Sequence, residues 1–134
     1  MTSYVLDACA VIAYLNDETG SDKVEALLQS NSTIFMSAIN VLEVCYDVVR
    51  NTGNSTDAQA VLHALSQWPI IIVHTLDEPV LLAAAIFKAR GKTSLADSVA
   101  LGLAQIEQAK LVTADHHEFD RLEQDGLAQF EWIR

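Results

Sequence analysis

The sequence predicts an α/β fold, a three-layer α/β/α sandwich around a central parallel sheet of about five strands. Three observations carry that prediction. Short apolar, often β-branched runs alternate along the chain with longer segments of helical spacing, the pattern of parallel strands joined by crossover helices. The connections between them are short. No repeats, low-complexity tracts or linkers interrupt the alternation, and 134 residues is the ordinary length of one domain, so residues 1–134 read as a single unit.

The elements follow in order. Ser3 to Leu6 is a short apolar strand and Ala8 to Asn16 a helix. Ser21 is placed to cap a second helix through about Gln29, with Val24, Leu27 and Leu28 at helical spacing. Thr33 to Met36 reads as a strand, and Ser37 caps a helix from Ala38 to about Arg50. Residues 51–56, with Asn, Thr, Gly and Ser, form the clearest loop. Helix returns from Asp57 to about Trp68, where Pro69 closes it. The run Ile70 to Val73 predicts a strand buried on both faces. Asp77 caps the next helix, Pro79 sits in its first turn and Gly91 ends it. A helix from Leu95 to about Gln108, a strand Lys110 to Thr113, a short helix near Glu118 to Gln124 and a final strand Gln129 to Ile133 complete the chain.

Composition bounds the class. A hydrophobic content of 51% with 19% charged residues describes a folded globular protein and excludes the disordered class. Cys9 and Cys45 lie in apolar stretches outside any C-x-x-C unit, so two unpaired thiols in a reducing cytosol are expected. The amino terminus has no basic region and carries Asp7 in its first apolar run, unlike a signal peptide, and no stretch has the length of a membrane span. A cytoplasmic protein is the expectation. The net charge of −10 argues against a simple nucleic-acid binder, whose affinity rests on Lys and Arg. Lys88, Arg90 and Lys92 crowd one segment, where a helix end also favours cations.

Four acids stand out by position. Asp7 and Asp115 follow predicted parallel strands, and the ligand crevice of an open α/β sheet lies at the carboxyl ends of its strands. Asp7 also fits a helix N-cap. Asp97 comes three residues after Ser94, which fits a capping box, yet the following turn is almost entirely small or apolar, as in a deeply packed helix. Glu43 is an acid within the apolar Val41–Cys45 stretch, and with Asn40 and Asp47 it also fits an exposed polar stripe. Together the four make a set. Clustered carboxylates raise one another's pKa and need a counter-charge, which a hard divalent cation supplies. Metal-assisted phosphodiester hydrolysis is the chemistry this implies.

Here the sequence resembles a known family. Val5-Leu6-Asp7-Ala8-Cys9-Ala10-Val11 is similar to the opening of PIN domains, and Ser37-Ala38-Ile39-Asn40-Val41-Leu42-Glu43 resembles their second motif. Ser94-Leu95-Ala96-Asp97-Ser98 and Leu111-Val112-Thr113-Ala114-Asp115 resemble the third and fourth. By size the chain resembles the VapC-type toxins of bacterial toxin–antitoxin pairs. The resemblance implies a PIN-like sandwich and an endoribonuclease acting on RNA, with Asp7, Glu43, Asp97 and Asp115 around Mg²⁺ or Mn²⁺ and Thr113 as a nearby hydroxyl. It also implies a cognate antitoxin that lies across the toxin toward the pocket. The charge balance calls for a basic partner, and the apolar content favours a homodimer. An antitoxin groove is expected on the first two helices, among Val11, Tyr14, Leu15, Val24 and Leu28.

Cys9 stands where the family often has Ser or Thr, which bears on a supporting hydrogen bond rather than on the acids. His116 and His117 are expected as solvated loop residues, and Glu118 and Asp120 as additions to an acidic rim. Two other readings stay open: a PIN-like RNA- or protein-binding module with a weak site, and a phosphatase or phosphotransferase using Asp7. The second expects another acid two residues on, where Cys9 stands.

Overall fold

Alternation along each strand builds the molecule, because successive side chains of a strand face opposite sides of its sheet. The computed structural model describes residues 2–134, with the side chain of Glu118 excepted. Five strands, β1 (Ser3–Leu6), β2 (Thr33–Ser37), β3 (Ile71–Val73), β4 (Lys110–Thr113) and β5 (Phe130–Trp132), form one sheet in the order β3-β2-β1-β4-β5. Every pairing is parallel, with Tyr4 opposite Ile34, Val5 opposite Leu111 and Val112 opposite Glu131.

The two faces divide the core. Leu6, Ile34, Met36 and Val112 point to a layer made by α1 (Ala8–Leu15), α2 (Ser21–Leu28), α3 (Ala38–Thr52) and α4 (Ser55–Gln67), through Val11, Val24, Val44 and Leu65. Their neighbours Val5, Phe35 and Leu111 point to the opposite layer of α5 (Glu78–Arg90), α6 (Leu95–Ile106) and α7 (His116–Gln124). There Phe87, Leu101, Leu103 and Phe119 fill the space, with Phe119 stacked on Phe130 at 5.3 Å between ring centroids. This is the α/β/α sandwich that the sequence predicts.

The differences are local and have physical reasons. The Ile71–Val73 strand is not buried on both faces: β3 is the edge strand, and Ile71 is 52% exposed. A β-branched run marks a strand but not its place in the sheet. Ser21 is the first residue of α2 and not its cap; that place falls to Gly20, with φ +100°. A Cβ there would stand 2.6 Å from the Ile133 carbonyl oxygen. Asn54 caps α4 earlier than expected by accepting from Thr56 N at 2.9 Å. Val11 and Val24 belong to the core and cannot line a groove, whereas Leu15 is exposed.

Strand order sets the place of the site. From β1 the chain runs outward through β2 to β3, then returns to lay β4 on the other side of β1. The carboxyl ends of β1 and β4 therefore flank the topological switch point, where open α/β sheets leave a crevice. The helix α6 begins near that end and depends on close contact with α5 at Gly102, where an added Cβ would lie 2.8 Å from Ala84 N. Backbone atoms on the facing helix cannot yield as a side-chain tip can. Gly102→Ala is expected to cost about 1–3 kcal/mol, read as a lowered midpoint in urea denaturation; an unchanged midpoint would show that the two helices separate freely.

Candidate active site

The strand β1 ends at Leu6, and Asp7 turns the chain into α1 as its N-cap, its Oδ1 accepting from Ala10 N at 2.8 Å. Capping uses only part of a carboxylate's capacity, since the ionised group has about four lone-pair sites. Asp7 is 2% exposed. Burial pushes its carboxyl up from 3.8 to about 7, and the charges of Asp97 and Asp115 push the same way. Hydrogen bonds from the Thr113 hydroxyl and Ala10 N oppose the rise.

Thr113, fully buried at the end of β4, links two acids. Its Oγ1 accepts from Asp115 N at 3.0 Å, while its hydroxyl bonds to Asp7. Asp115 caps α7 by accepting from His117 N at 3.1 Å. Asp97 lies in the first turn of α6, where Ser94 Oγ accepts from Asp97 N at 3.1 Å, the half of a capping box that the spacing predicts. Capping and membership of the cavity turn out to be compatible roles for these acids.

Glu43 is held by a residue that sequence reading undervalued. Asn40, one turn earlier on α3, is fully buried rather than part of an exposed stripe. Its Nδ2 donates to Glu43 Oε1 at 3.2 Å and to the Ala96 carbonyl at 3.5 Å, tying α3 to the helix that carries Asp97. Two acceptors fix that amide orientation, and Asn40 Oδ1 is left buried without a hydrogen-bond partner among the described residues. Burial raises the Glu43 carboxyl above its ordinary value, with the Asn40 bond opposing. The available signal was the Asn40-x-x-Glu43 spacing, which puts the two on one face of α3.

All four acids line one cavity of about 350 Å³, and Glu18 and Asp47 join them. Glu18 sits in the α1–α2 connection, beside Arg134, whose Nη1 is 3.5 Å from Glu18 Oε1 and 3.0 Å from the Thr19 carbonyl oxygen. Nothing in the local sequence marks it; its N–H bonds back to the Ala13 carbonyl oxygen at 2.8 Å and its carboxylate accepts from Asn16 Nδ2 at 3.4 Å, which hold it at the end of α1. Asp47 was visible as the i+4 neighbour of Glu43. Among the described lining residues Arg50 is the one cation. Cys9 also lines the cavity, its thiol pushed up to about 11 by burial and then by the Asp7 charge. Both cysteines are unpaired, as expected.

Other expected rim residues lie elsewhere. His116 opens α7 and is held rather than free: it stacks on Trp132 at 3.8 Å, with Nδ1 at 2.8 Å from Asp120 and Nε2 at 2.7 Å from the Arg134 carbonyl oxygen. Asp120 and His117 line a separate open depression with Arg121. The Glu118 side chain lies outside the described residues. Lys88 donates to the Thr93 carbonyl oxygen at 2.7 Å, which fits the helix-end reading of the basic segment.

Among the described residues no three His, Cys, Asp or Glu side chains form a ready-made metal cage. Mg²⁺ does not require one, since it commonly takes one or two carboxylates and completes its shell with water and phosphate oxygens. A set of hard oxygen donors in which Asp97 and Asp115 push the buried Asp7 carboxyl upward fits such a cation by its chemistry.

A fold with these acids at the switch point defines a class of protein, and the chain belongs to the PIN-domain family, whose profile matches residues 4–124. Among solved structures it is similar to DNA-bound VapBC from Salmonella typhimurium, with TM-score 0.74 and 17% identity over 100% of both chains. It is similar also to VapBC2 from Rickettsia felis bound to a promoter DNA fragment, with TM-score 0.72, 22% identity, and 97% of this chain and 98% of that one covered. A third is VapC20 from Mycobacterium tuberculosis, a sarcin-ricin loop cleaving toxin, with TM-score 0.68, 12% identity, and coverage of 86% and 92%. Comparison with curated proteins finds no match.

The buried Asp7 has a consequence for stability. Its folded pKa of about 7 lies above the ordinary 3.8, so the folded chain holds this proton where the unfolded chain has lost it. In chelator, stability should therefore fall as pH rises from about 4 to about 7, by an amount on the order of 4 kcal/mol at most. Asp7→Asn keeps a capping oxygen but no charge. Urea titrations at pH 5 and pH 8 in EDTA are expected to show a drop for the wild type and a much smaller one for the variant; equal drops would mean that Asp7 is not the group responsible.

Proposed function

We propose that this protein is a Mg²⁺- or Mn²⁺-dependent endoribonuclease and the toxin of a type II toxin–antitoxin pair. The observation that carries this reading is the lining of one switch-point cavity by Asp7, Glu43, Asp97 and Asp115, with Asp7 pushed toward neutrality by burial and by its acidic neighbours. Those four carboxylates would hold the cation. When bound, it offsets their mutual repulsion and the charge of an RNA phosphate.

The chain's own residues divide the remaining work. Ala10 N and the Thr113 hydroxyl orient the Asp7 carboxylate, and Asn40 orients Glu43. Glu43, half-buried and with a raised pKa, is suited to accept a proton from water at Oε2, the oxygen that Asn40 does not hold. Asp7 is a poor nucleophile for a phosphotransferase, being buried and engaged as a cap.

The partners we propose follow from charge and exposure. The solved neighbours from Salmonella typhimurium and Rickettsia felis are VapBC complexes, and a basic antitoxin suits a chain of net charge −10. A groove of about 300 Å³ lined by Ile12, Leu15, Val44 and Val48 continues from the acid cavity through Ile12 and Asp47. That groove runs between α1 and α3, so of the first-helix residues expected there Leu15 takes part. A homodimer fits α5, whose Leu81, Leu82 and Ile86 are exposed although the helix buries Val80 and Phe87 behind them. An apolar helix face of this kind calls for a cover. No helix among the described residues is long and apolar enough to cross a membrane.

Two measurements test the proposal. Millimolar Mn²⁺ should raise the melting temperature more than NaCl of equal ionic strength, by the equivalent of roughly 1.4 kcal/mol at ten times Kd. The second uses Asp97→Asn, which should abolish Mn²⁺-dependent cleavage of single-stranded RNA while leaving metal-free stability unchanged or higher. Activity retained with stability lowered by about 0.3–1 kcal/mol would make Asp97 a first-turn helix charge and no more.

A further inference from the structure

An acid-lined cavity in a chain of net charge −10 poses a problem for any substrate made of phosphates. Affinity for nucleic acid ordinarily comes from Lys and Arg neutralising the backbone. Six carboxylates line this cavity and Arg50 is the one cation among its described lining residues. Base stacking is a source of affinity that does not depend on net charge, because every base offers a π-face to an aromatic side chain.

The second half of α3 carries what is required. Glu43, Tyr46, Asp47 and Arg50 stand at i, i+3, i+4 and i+7, so they share one face of the helix, and all four line the cavity. Tyr46 is 62% exposed, a large amount for an aromatic ring beside a cavity. The Arg50 guanidinium lies 5.5 Å from the centre of that ring, and its Nη2 is 2.9 Å from Asp47 Oδ1. Arg50 is itself 59% exposed, whereas Asp47 is 17% exposed and also accepts from Asn51 Nδ2 at 3.3 Å. Asp47 therefore keeps a partner when the guanidinium turns to a phosphate, whose geometry its planar fork matches.

We propose that Tyr46 and Arg50 form a substrate platform at the rim of the acid cavity. The Tyr46 ring stacks one base of a single-stranded RNA, and Arg50 meets the adjoining phosphate. The proposal rests on the ribonuclease reading above and adds the groups that hold its substrate. Both are positioning residues; they bring the backbone to the acids and take no part in bond breaking.

The test uses the full chain, Mn²⁺ and a short single-stranded RNA. Tyr46→Leu should raise KM by roughly 5- to 150-fold, the range that loss of one stacked base implies, with kcat little changed. Tyr46→Phe should restore the wild-type KM, which a general packing defect would not allow. Arg50→Gln should flatten the salt dependence of log KM by about 0.7, the slope of one phosphate contact on a single strand. A readout apart from activity comes from the Asp97→Asn variant with an RNA carrying a fluorescent purine analogue. Its emission should be quenched on binding, and the quenching should vanish when Tyr46→Leu is added.

Unchanged KM and undiminished quenching in Tyr46→Leu would overturn the platform. So would an unchanged KM combined with weakened binding of a basic protein partner, which would assign this face to the protein. If the wild type cleaves no RNA yet quenching still depends on Tyr46, the platform stands and the ribonuclease reading fails.

Discussion

Holding several carboxylates close together at the edge of a low-dielectric interior is the condition on which this structure turns. Each acid taken from water loses hydration, and each neighbour of like charge adds to the cost. Asp7 shows the effect most strongly, with its carboxyl pushed up to about 7. The fold answers with partial positive charge. Asp7 and Asp115 cap α1 and α7, and Asp97 stands in the first turn of α6, so three acids of the cavity sit at helix N-termini, where the backbone dipole favours anions. A parallel sheet brings Asp7 and Asp115 together naturally, because β1 and β4 each deliver the chain to a helix start on the same side, while α6 brings Asp97 there after the turn that follows α5.

The hydrogen bonds around the acids also explain why their geometry is reproducible. Thr113 spans Asp7 and the backbone of Asp115, so the ends of β1 and β4 are tied through one buried hydroxyl. Asn40 makes the matching tie between α3 and α6. Neither residue carries charge, and both restrict where charged neighbours can move. A site of this kind can stay ordered while remaining electrostatically unsatisfied, which leaves it receptive to a cation or a basic partner.

Cations of the chain itself are spent elsewhere. Lys88 bonds to the Thr93 carbonyl oxygen just beyond the end of α5, and Arg134 reaches the Thr19 carbonyl oxygen. Lys88 and Arg134 therefore serve a connection and a chain end, and the acid cavity keeps Arg50 at its rim. This division separates two demands that would otherwise conflict. A lysine planted among the acids would relieve repulsion but would also fill the place of a metal.

Much of this was legible in the sequence. Short apolar runs at Val5-Leu6, Ile34-Phe35-Met36 and Leu111-Val112, alternating with segments of helical spacing, specified a parallel sheet between helix layers, and Ser37, Asp77 and Ser94 announced their helix starts by local capping chemistry. Such features depend on neighbours one to four residues away, which is the range over which sequence patterns act. The membership of Asp7, Glu43, Asp97 and Asp115 in one set was legible through motif spacing. The tertiary structure decided what lies between distant segments. It made Asn40 a buried tie rather than a surface amide, set β3 at the sheet edge, and recruited Glu18 to the cavity from a loop beside the C-terminal Arg134. No local pattern encodes those outcomes, because each depends on which segments the sheet order brings together, and burial and electrostatic coupling are properties of that three-dimensional neighbourhood.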